Sequence, residues 1–328
     1  MTRFVCLAFS CCLVFAQQPQ QQQKFRSKVA IYDLKTKKST VIYEQDGILE
    51  APNWTHDGRT LLVNTGGKLY RMNVDGGPAK LGDPIEFTPG RGYRCNNDHD
   101  YSPDGKLIAF SASSALSQQS QVYVANADGT AARLLTLASP SYFHGWSPDG
   151  KWLAFVGRRN GKFELFRVSV NGGEEQRLTS SGTYDDGPEY SRDGKWIYFN
   201  SNRGGGWNIW RMPADGAGPG DALGERVTND PLEDWFAHFS PNGKYMVFLS
   251  FPAGTEGHNG RMPGMKLRMM KAPRFHALRH IGHPRGKLKA SPMIEVLETF
   301  SGGQGTINVN SWSPDSKRFA YVIYEPLP

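Results

Sequence analysis

The sequence predicts an all-β fold: a six-bladed β-propeller in which strands from the two chain ends complete the last blade. Three observations predict it. A short turn-and-strand element recurs six times along the 328 residues, and four of its five spacings lie between 44 and 49 residues. The two ends of the chain each carry one half of a further blade. Repeats of about 40 to 50 residues with four strands each are typical of propellers.

The repeated element consists of an aromatic residue, Ser, Pro, Asp, Gly and Lys, followed by a strand of alternating apolar residues. Pro sets the backbone for the second turn position, Asp accepts hydrogen bonds from turn amides, and Gly tolerates a positive φ. The element therefore predicts a tight turn between two antiparallel strands. Its six copies are NWTHDGRTLLVN (53–64), DYSPDGKLIAFS (100–111), GWSPDGKWLAFV (145–156), EYSRDGKWIYFN (189–200), HFSPNGKYMVFL (238–249) and SWSPDSKRFAYV (311–322).

A second hairpin follows the inner pair of a repeat, as in VYVANADGTAARLLT (122–136) and ELFRVSVNGGEEQRLT (164–179). ADG and NGG are residues that tight hairpin turns favour. Residues 28–44 predict an outer hairpin without an inner pair, whereas the last repeat is an inner pair without an outer hairpin. Together these halves predict one blade that closes the ring and leaves no open sheet edge.

The N-terminal segment predicts export. Residues 1–16 combine a basic residue, an apolar run and a small-residue cleavage site at Ala16, the pattern of a secretory signal peptide. Residues 17–27 are a low-complexity tether, and residues 28–328 form the propeller. Three of the four cysteines lie in the signal, so Cys95 alone remains and no intramolecular disulfide is expected. The sequence therefore predicts a periplasmic or secreted protein with no membrane-spanning segment after signal cleavage.

The net charge of +7 comes from one segment. Residues 251–290 hold nine of the basic residues and a single acid, Glu256. Basic residues interleaved with stacking aromatics, the pattern of nucleic-acid binding, are missing from the sequence, which excludes that function. The segment, with His276, His280 and His283, is predicted to be a solvated insert that could dock an anionic partner.

The repeat resembles the propeller of TolB, the periplasmic component of the Tol-Pal envelope system. The resemblance covers roughly residues 28 to 325 and implies an exported binding protein. Related propellers accompany prolyl oligopeptidases, but the sequence has no G-x-S-x-G motif, so no peptidase activity is expected. WFAHFSPNG (235–243) is similar to the metal-binding segment of oligogalacturonate lyase, in which histidines and a glutamine hold a divalent metal; it has one histidine, His238, where the lyase has a pair.

Candidate site residues precede the six turns, because the innermost strand of each blade lines the central channel. This ring carries three histidines and several carboxylates where small or apolar residues would suffice. Trp235 could stack on a sugar or pack in the core, and a glycine-rich stretch around Gln304 could approach a ligand closely. The predicted channel-mouth ligand site comprises Asp98, His99, Asp100, His144, Asp185, Asp186, Glu189, Trp235, His238, Gln304 and Asn308.

The sequence allows three interpretations of this ring. His99, His144 and His238 could hold Mn or Zn, with the carboxylates orienting the imidazoles. The same residues could form a small-molecule or glycan site without metal. They could also be solvated channel polars. Neighbours such as His99 and Asp100 point to opposite sides of a regular strand, which argues against a shared site.

The function predicted from these features is a ligand- or protein-binding module of the cell envelope, acting as a monomer on an envelope protein or a glycan. The alternative is a metal-dependent lyase or hydrolase of acidic oligosaccharides, in which metal-bound histidines acidify a uronate proton and a base such as Arg94 removes it. A peripheral subunit held by protein contacts alone is a third hypothesis. An enzyme requires the three histidines to converge on one point.

Overall fold

The computed structural model describes residues 23–75, 77–87, 92–273 and 293–328. Within these ranges the strands form six antiparallel sheets arranged as the blades of a propeller, which confirms the predicted fold. The predicted signal peptide, the first part of the tether and residues 274–290 of the basic insert lie outside the described residues. None of the helices in the described ranges has the length and apolar character needed to cross a bilayer.

Strands are numbered in chain order, and the first four blades each contain four of them, ordered from the channel outwards. Blade 1 contains β3 (Leu49–Trp54), β4 (Thr60–Thr65), β5 (Lys68–Asn73) and β6 (Lys80–Pro84). Blade 2 contains β7 (Arg94–Tyr101), β8 (Leu107–Ser114), β9 (Ser117–Asn126) and β10 (Arg133–Leu134). Blade 3 contains β11 (Ser141–Trp146), β12 (Trp152–Arg159), β13 (Lys162–Ser169) and β14 (Gln176–Arg177). Blade 4 contains β15 (Asp185–Tyr190), β16 (Trp196–Ser201), β17 (Asn208–Pro213) and β18 (Glu225–Arg226).

Blade 5 follows the same pattern, whereas blade 6 combines strands from both chain ends. Blade 5 contains β19 (Glu233–Phe239), β20 (Tyr245–Phe251), β21 (Met262–Lys271) and β22 (Glu295–Gly302). Blade 6 contains β1 (Phe25–Asp33) and β2 (Lys38–Asp46) from the N-terminal side, with β23 (Arg318–Pro326) from the C-terminal side. β1 pairs with β23 over nine residues, from Phe25↔Pro326 to Asp33↔Arg318, which confirms the predicted closure. Two 3₁₀ helices, Pro219–Asp221 and Gln304–Thr306, complete the regular structure.

Two details differ from the sequence-based expectation. The innermost segment of blade 6, residues 307–312, is not a regular strand; it follows a 3₁₀ turn and touches β23 through the isolated bridge Trp312↔Phe319. Part of the predicted solvated insert, residues 262–271, is strand β21, and it buries Met265, Leu267 and Met270 in the core. Of the charged residues between them, Lys266 is partly exposed, whereas Arg268 is buried and paired with Asp230 and Asp234.

The repeated turns form as their residues predict. In the second repeat the Ser102 hydroxyl donates to Asp104 (2.7 Å), and the amide of Leu107 donates to Ser102 Oγ (2.9 Å). The hydrogen bond from Ser102 and one from the Lys106 amide lower the pKa of Asp104. Gly105 takes a φ of 72°. Each turn is thus closed by its own residues and needs no help from neighbouring blades.

The core lies between the blades. Ala109, Val122 and Val124 of blade 2 pack against Phe143 and the other apolar residues that β11 and β12 contribute from blade 3, and similar clusters fill the other blade interfaces. Burying one such side chain stabilises the fold by about 1.5–3 kcal/mol. Because this packing holds the blades rigidly, the inner strands can carry polar side chains into the channel.

Candidate functional site

The inner strands are all interrupted just before the turn. Register shifts fall at Glu50/Asn53, Cys95/His99, Phe143/Gly145, Asp186/Glu189 and Trp235/His238. Such bulges interrupt the alternation of side chains between the two faces of the sheet and change the direction in which the neighbouring side chains point. At one of them Gly187 has a φ of 60°, and a Cβ there would lie 2.6 Å from Asn200 Oδ1. The bulges therefore decide which side chains reach the channel.

The channel has two chemically different ends. One is a cavity of about 380 Å³ where the inner strands begin, which we call the acidic mouth; its carboxylates are Glu50, Asp98 and Asp186. The other is a cavity of about 340 Å³ beside the repeated turns, which we call the turn mouth; its carboxylates are Asp100 and Glu189. His144 lines both cavities, so it lies between them.

The floor of the acidic mouth is a hydrogen-bonded group from blades 2, 3, 4 and 6. His144 Nε2 lies 3.1 Å from Asp186 Oδ1, and both side chains are almost fully buried. Asp98 accepts hydrogen bonds from the amides of Asn96 (2.7 Å) and Asn308 (2.5 Å). The other ring nitrogen of His144, Nδ1, is buried and has no hydrogen-bond partner among the described residues. The floor is therefore only partly satisfied by the protein itself.

Burial and charge act together on these groups. Burial alone lowers the pKa of His144, but the hydrogen bond and charge of Asp186, with the charge of Asp98, raise it above its usual value overall. Burial raises the pKa of Asp98, although the charge of His144 and the bond from Asn308 oppose this. Asp186 also accepts the Gly187 amide (2.7 Å). Asp98 has only neutral amide donors, whereas Asp186 has the imidazole.

The walls of the acidic mouth are aromatic on one side. Tyr142, Phe163 and Tyr184 line it, and the last two rings lie 5.0 Å apart and nearly parallel. On the other side Arg261 forms an ion pair with Glu50, and Gln304 Nε2 donates to Asn259 Oδ1 (3.0 Å). An aromatic wall that faces amides and carboxylates suits a ligand with both apolar and hydroxyl-bearing surfaces.

The turn mouth is organised differently. The second position of each of the six turns lines it, so its rim is made of His56, Pro103, Pro148, Arg192, Pro241 and Pro314. Below this rim, Asp100 accepts a hydrogen bond from Asn53 Nδ2 (2.9 Å). Burial, reinforced by the charge of Glu189, raises the pKa of Asp100 to about 7.

Glu189 and His238 form a closed network at the turn mouth. His238 Nδ1 contacts Glu189 Oε2, and its Nε2 donates to the carbonyl of Ile307 (2.5 Å). Glu189 Oε1 accepts the amide of Phe239 (3.0 Å) and Asn310 Nδ2 (2.8 Å). This network connects blades 4, 5 and 6, and it occupies both ring nitrogens of His238. Its role is to hold the blades together.

Most predicted site residues line one of the two cavities. His144 lines both of them. Asp98, Asp186, Gln304 and Asn308 line the acidic mouth, while Asp100 and Glu189 line the turn mouth.

Four predicted ligand-site residues line neither cavity. One of them is His238, which is held in the network with Glu189; the other three are described here. His99 is fully buried, neither ring nitrogen forms a hydrogen bond of good geometry, and burial lowers its pKa to about 4. Asp185 is held by Arg203 (2.8 Å to both oxygens) inside blade 4. Trp235 is 1% exposed and packs against Trp207 in the core. These three side chains therefore line neither cavity.

The three histidines do not converge. His99 lies in the core, His144 is bonded to Asp186, and both nitrogens of His238 are occupied. Among the described residues, no group of three or more His, Cys, Asp or Glu side chains is arranged to hold a metal ion. The residues present therefore do not fit the proposed Mn or Zn site. Arg94, suggested as a base, is exposed and lines neither cavity.

Several residues of the acidic mouth were not found from the sequence. Tyr142 and Tyr184 precede the turns by more residues than the ring positions considered, and Phe163 comes from an outer strand. Asn259 and Arg261 come from the loop after β20, which also holds His258 against Glu233 and Trp235. The aromatic residues at the start of SYFHGW and TYDDGPEY were the available signal.

Comparisons with known proteins agree with this architecture. The model of the TolB beta propeller domain family matches residues 139–270. An uncharacterized protein of Agrobacterium fabrum is 38% identical over 302 residues, which are 92% of this chain and 94% of that protein. A solved structure from Agrobacterium tumefaciens, described as a candidate TolB, is 38% identical with a TM-score of 0.80, covering 92% of this chain and 99% of that one.

A Tol-Pal system protein is also similar over a shorter stretch. The Tol-Pal system protein TolB of Francisella tularensis subsp. mediasiatica is 28% identical over 138 residues. The match spans 41% of this chain and 30% of that protein, so it covers less than a third of that TolB.

Proposed function

Because the chain belongs to the TolB-like β-propeller family, we propose that it is a binding module of the cell envelope and that the acidic mouth is its ligand site. One observation carries this proposal: the polar groups of the acidic mouth are only partly satisfied, whereas those of Glu189 and His238 are saturated by the protein. His144 Nδ1 has no partner in the described part of the chain. Buried polar groups without partners favour a ligand that supplies them.

The setting we propose for this module is the periplasm or the exterior of the cell. The signal-like residues 1–16 support export, and a relative carries the name of the Tol-Pal system. The partner is an envelope protein or a glycan, and the protein acts as a monomer. Binding without catalysis agrees with the scattered histidines, since the lyase hypothesis requires them to meet at one metal.

The experiment compares matched variants of the full-length protein immobilised through its C-terminus. Asp186→Asn keeps an oxygen that can accept the Gly187 amide, so the bulge should survive while the charge beside His144 is lost. Asp75→Asn makes the same charge change on an exposed position of blade 1 and serves as the control. An envelope extract is passed over each, and retained proteins and glycans are identified by mass spectrometry.

We expect the wild type and Asp75→Asn to retain the same component and Asp186→Asn to retain about ten-fold less, equivalent to roughly 1.4 kcal/mol. Circular dichroism melts of all three proteins check that folding is unchanged. Equal retention by the two variants would exclude the acidic mouth as the site, whatever component is retained.

A further inference from the structure

We infer that the acidic mouth binds a neutral sugar ring and discriminates against acidic sugars; this inference rests on the proposed function and names the ligand class of the same site. The cavity of about 380 Å³ falls in the size range of small-molecule clefts. Four features of its lining indicate this class of ligand. They are an aromatic wall, an opposite wall of side-chain amides, the carboxylate of Asp98, which has no cation of its own, and the unpartnered ring nitrogen of His144.

The aromatic wall supplies an apolar surface at the cavity. Tyr142 is half-buried, and its ring is 6.5 Å from Phe163. Burial raises the pKa of its hydroxyl, and the charges of Asp98 and Asp186 raise it further. Aromatic rings bury apolar area while a hydroxyl at the ring edge stays polar. The C–H face of a sugar ring matches such a surface, with its hydroxyl groups directed towards the polar side.

The opposite wall carries side-chain amides. Asn96 and Asn97 come from the start of β7, and Gln304 and Asn259 come from the blade 5 loops. Each amide offers both donors and an acceptor, as does each hydroxyl group of a sugar. A ligand with several hydroxyl groups can therefore satisfy this wall in more than one orientation.

The charges decide between neutral and acidic sugars. Of the two cationic groups that line the acidic mouth in the described part of the chain, Arg261 is paired with Glu50 and His144 with Asp186. Asp98 accepts side-chain hydrogen bonds from the neutral amides of Asn96 and Asn308, and the nearby charge of His144 is already paired with Asp186. A uronate carboxylate would meet the charge of Asp98 without a free cation to pair with, which is unfavourable in a buried site.

His144 Nδ1 favours hydroxyl groups over peptide groups. This atom lies beside the cavity without a partner in the described residues, and it is a donor when the ring is charged and an acceptor when the ring is neutral. A single hydroxyl group can bond to it in either state, because a hydroxyl both donates and accepts, whereas a peptide must present its carbonyl to the charged form and its N–H to the neutral form. A sugar hydroxyl can therefore bond to His144 Nδ1 over the whole neutral pH range, whichever protonation state the ring has.

The test is calorimetric titration of the full-length protein with three probes of equal length: galactotriose, chitotriose and trigalacturonate. Galactotriose and trigalacturonate differ only in carrying hydroxymethyl or carboxylate groups, so they isolate the charge effect. Tyr142→Leu removes the ring and hydroxyl but keeps apolar volume, and Tyr70→Leu on outer strand β5 is its control. Asp98→Asn removes the uncompensated charge while retaining an acceptor for Asn308.

We expect at least one neutral trisaccharide to bind, with about ten-fold weaker binding in Tyr142→Leu and unchanged binding in Tyr70→Leu. Trigalacturonate should bind at least about ten-fold more weakly than galactotriose. Asp98→Asn should reduce this difference between the two affinities. If neither neutral probe binds, if trigalacturonate binds equally well, or if Tyr142→Leu has no effect, the inference is overturned.

The two proposals fail in different ways. If no neutral sugar binds but an envelope protein is still retained by the wild type and lost from Asp186→Asn, the sugar inference falls and the binding function stands. If retention is also independent of Asp186, both proposals fall. Melting curves of Tyr142→Leu and Asp98→Asn distinguish loss of a ligand contact from loss of folding, since Asp98→Asn introduces no cavity.

Discussion

The two ends of the channel each place a histidine against a carboxylate, and the two pairs differ in their surroundings. At the turn mouth, His238 contacts Glu189 and donates to the Ile307 carbonyl, while Glu189 also accepts the Phe239 amide. At the acidic mouth, His144 bonds to Asp186 through one nitrogen, and its other nitrogen has no partner in the described residues.

This difference separates a structural pair from a pair available to a ligand. A buried polar group with all its partners stabilises the fold and gains little from a ligand, whereas one with a free hydrogen-bonding position gains more. Residue type alone does not distinguish the two cases. The following changes test the distinction, from the largest expected effect to the smallest.

Glu189→Ala should cost about 3–5 kcal/mol of unfolding free energy, because it leaves His238, the Phe239 amide and Asn310 without their buried acceptor. Burial raises the pKa of Glu189, but the charge and hydrogen bond of His238, the charge of Arg192 and the Phe239 amide together outweigh it, so the pKa is lowered overall. The stabilisation should therefore be complete above about pH 4.5 and decline as the pH falls through the lower folded value.

Urea denaturation measures this effect, with Glu325→Gln as the control because Glu325 is half-exposed beside Lys28. A loss below about 1 kcal/mol for Glu189→Ala would mean that the turn-mouth network is not structural.

Asp100→Asn should stabilise the protein at alkaline pH by an amount on the order of 1–2 kcal/mol. Since burial raises the pKa of Asp100 to about 7, its contribution is favourable below about pH 3.8 and is lost as the pH rises through 7. The Asn side chain of the variant cannot ionise. Its free energy of unfolding should therefore exceed that of the wild type at pH 8 and match it near pH 4. Denaturation curves at the two pH values measure this difference in the free energy of unfolding. A difference that grows towards low pH would contradict the raised pKa of Asp100.

His99→Leu should raise the free energy of unfolding by no more than about 1 kcal/mol, because the ring is neutral and lacks well-formed hydrogen bonds. Binding at the acidic mouth should be unchanged. His238→Leu is the contrasting variant and should instead lower the free energy of unfolding by several times that amount. Thermal melts of both variants, with sugar titration of His99→Leu, check the statement that His99 belongs to neither mouth.

The smallest effect is expected in a measurement of bound metal. We expect purified protein to hold much less than one Mn or Zn per chain at the channel, since His99 is buried in the core, His144 is bonded to Asp186 and both ring nitrogens of His238 are occupied. Mass spectrometry of the untagged protein, before and after supplementation, measures the content. Near-stoichiometric metal that is lost on His144→Ala would contradict the separation of the two mouths.

The sequence was sufficient for the architecture. The six S-P-D-G-type turns close through their own side chains, as Ser102 and Asp104 show, so their spacing specifies the blades without long-range information. The closure of the ring also followed from the chain ends, since β1 and β23 are complementary halves. Of the polar residues predicted to line the channel, Asp98, His144 and Asp186 form one electrostatically coupled group. Their part in binding stays a prediction.

The tertiary structure decided which of these side chains are available. A bulge between Cys95 and His99 turns His99 into the core while Asp98 reaches the cavity. The partners that saturate His238 come from blades 4 and 6, far away in sequence. Turn chemistry acts over a few residues and can be read locally, whereas hydrogen-bond saturation depends on groups that only the closed ring brings together.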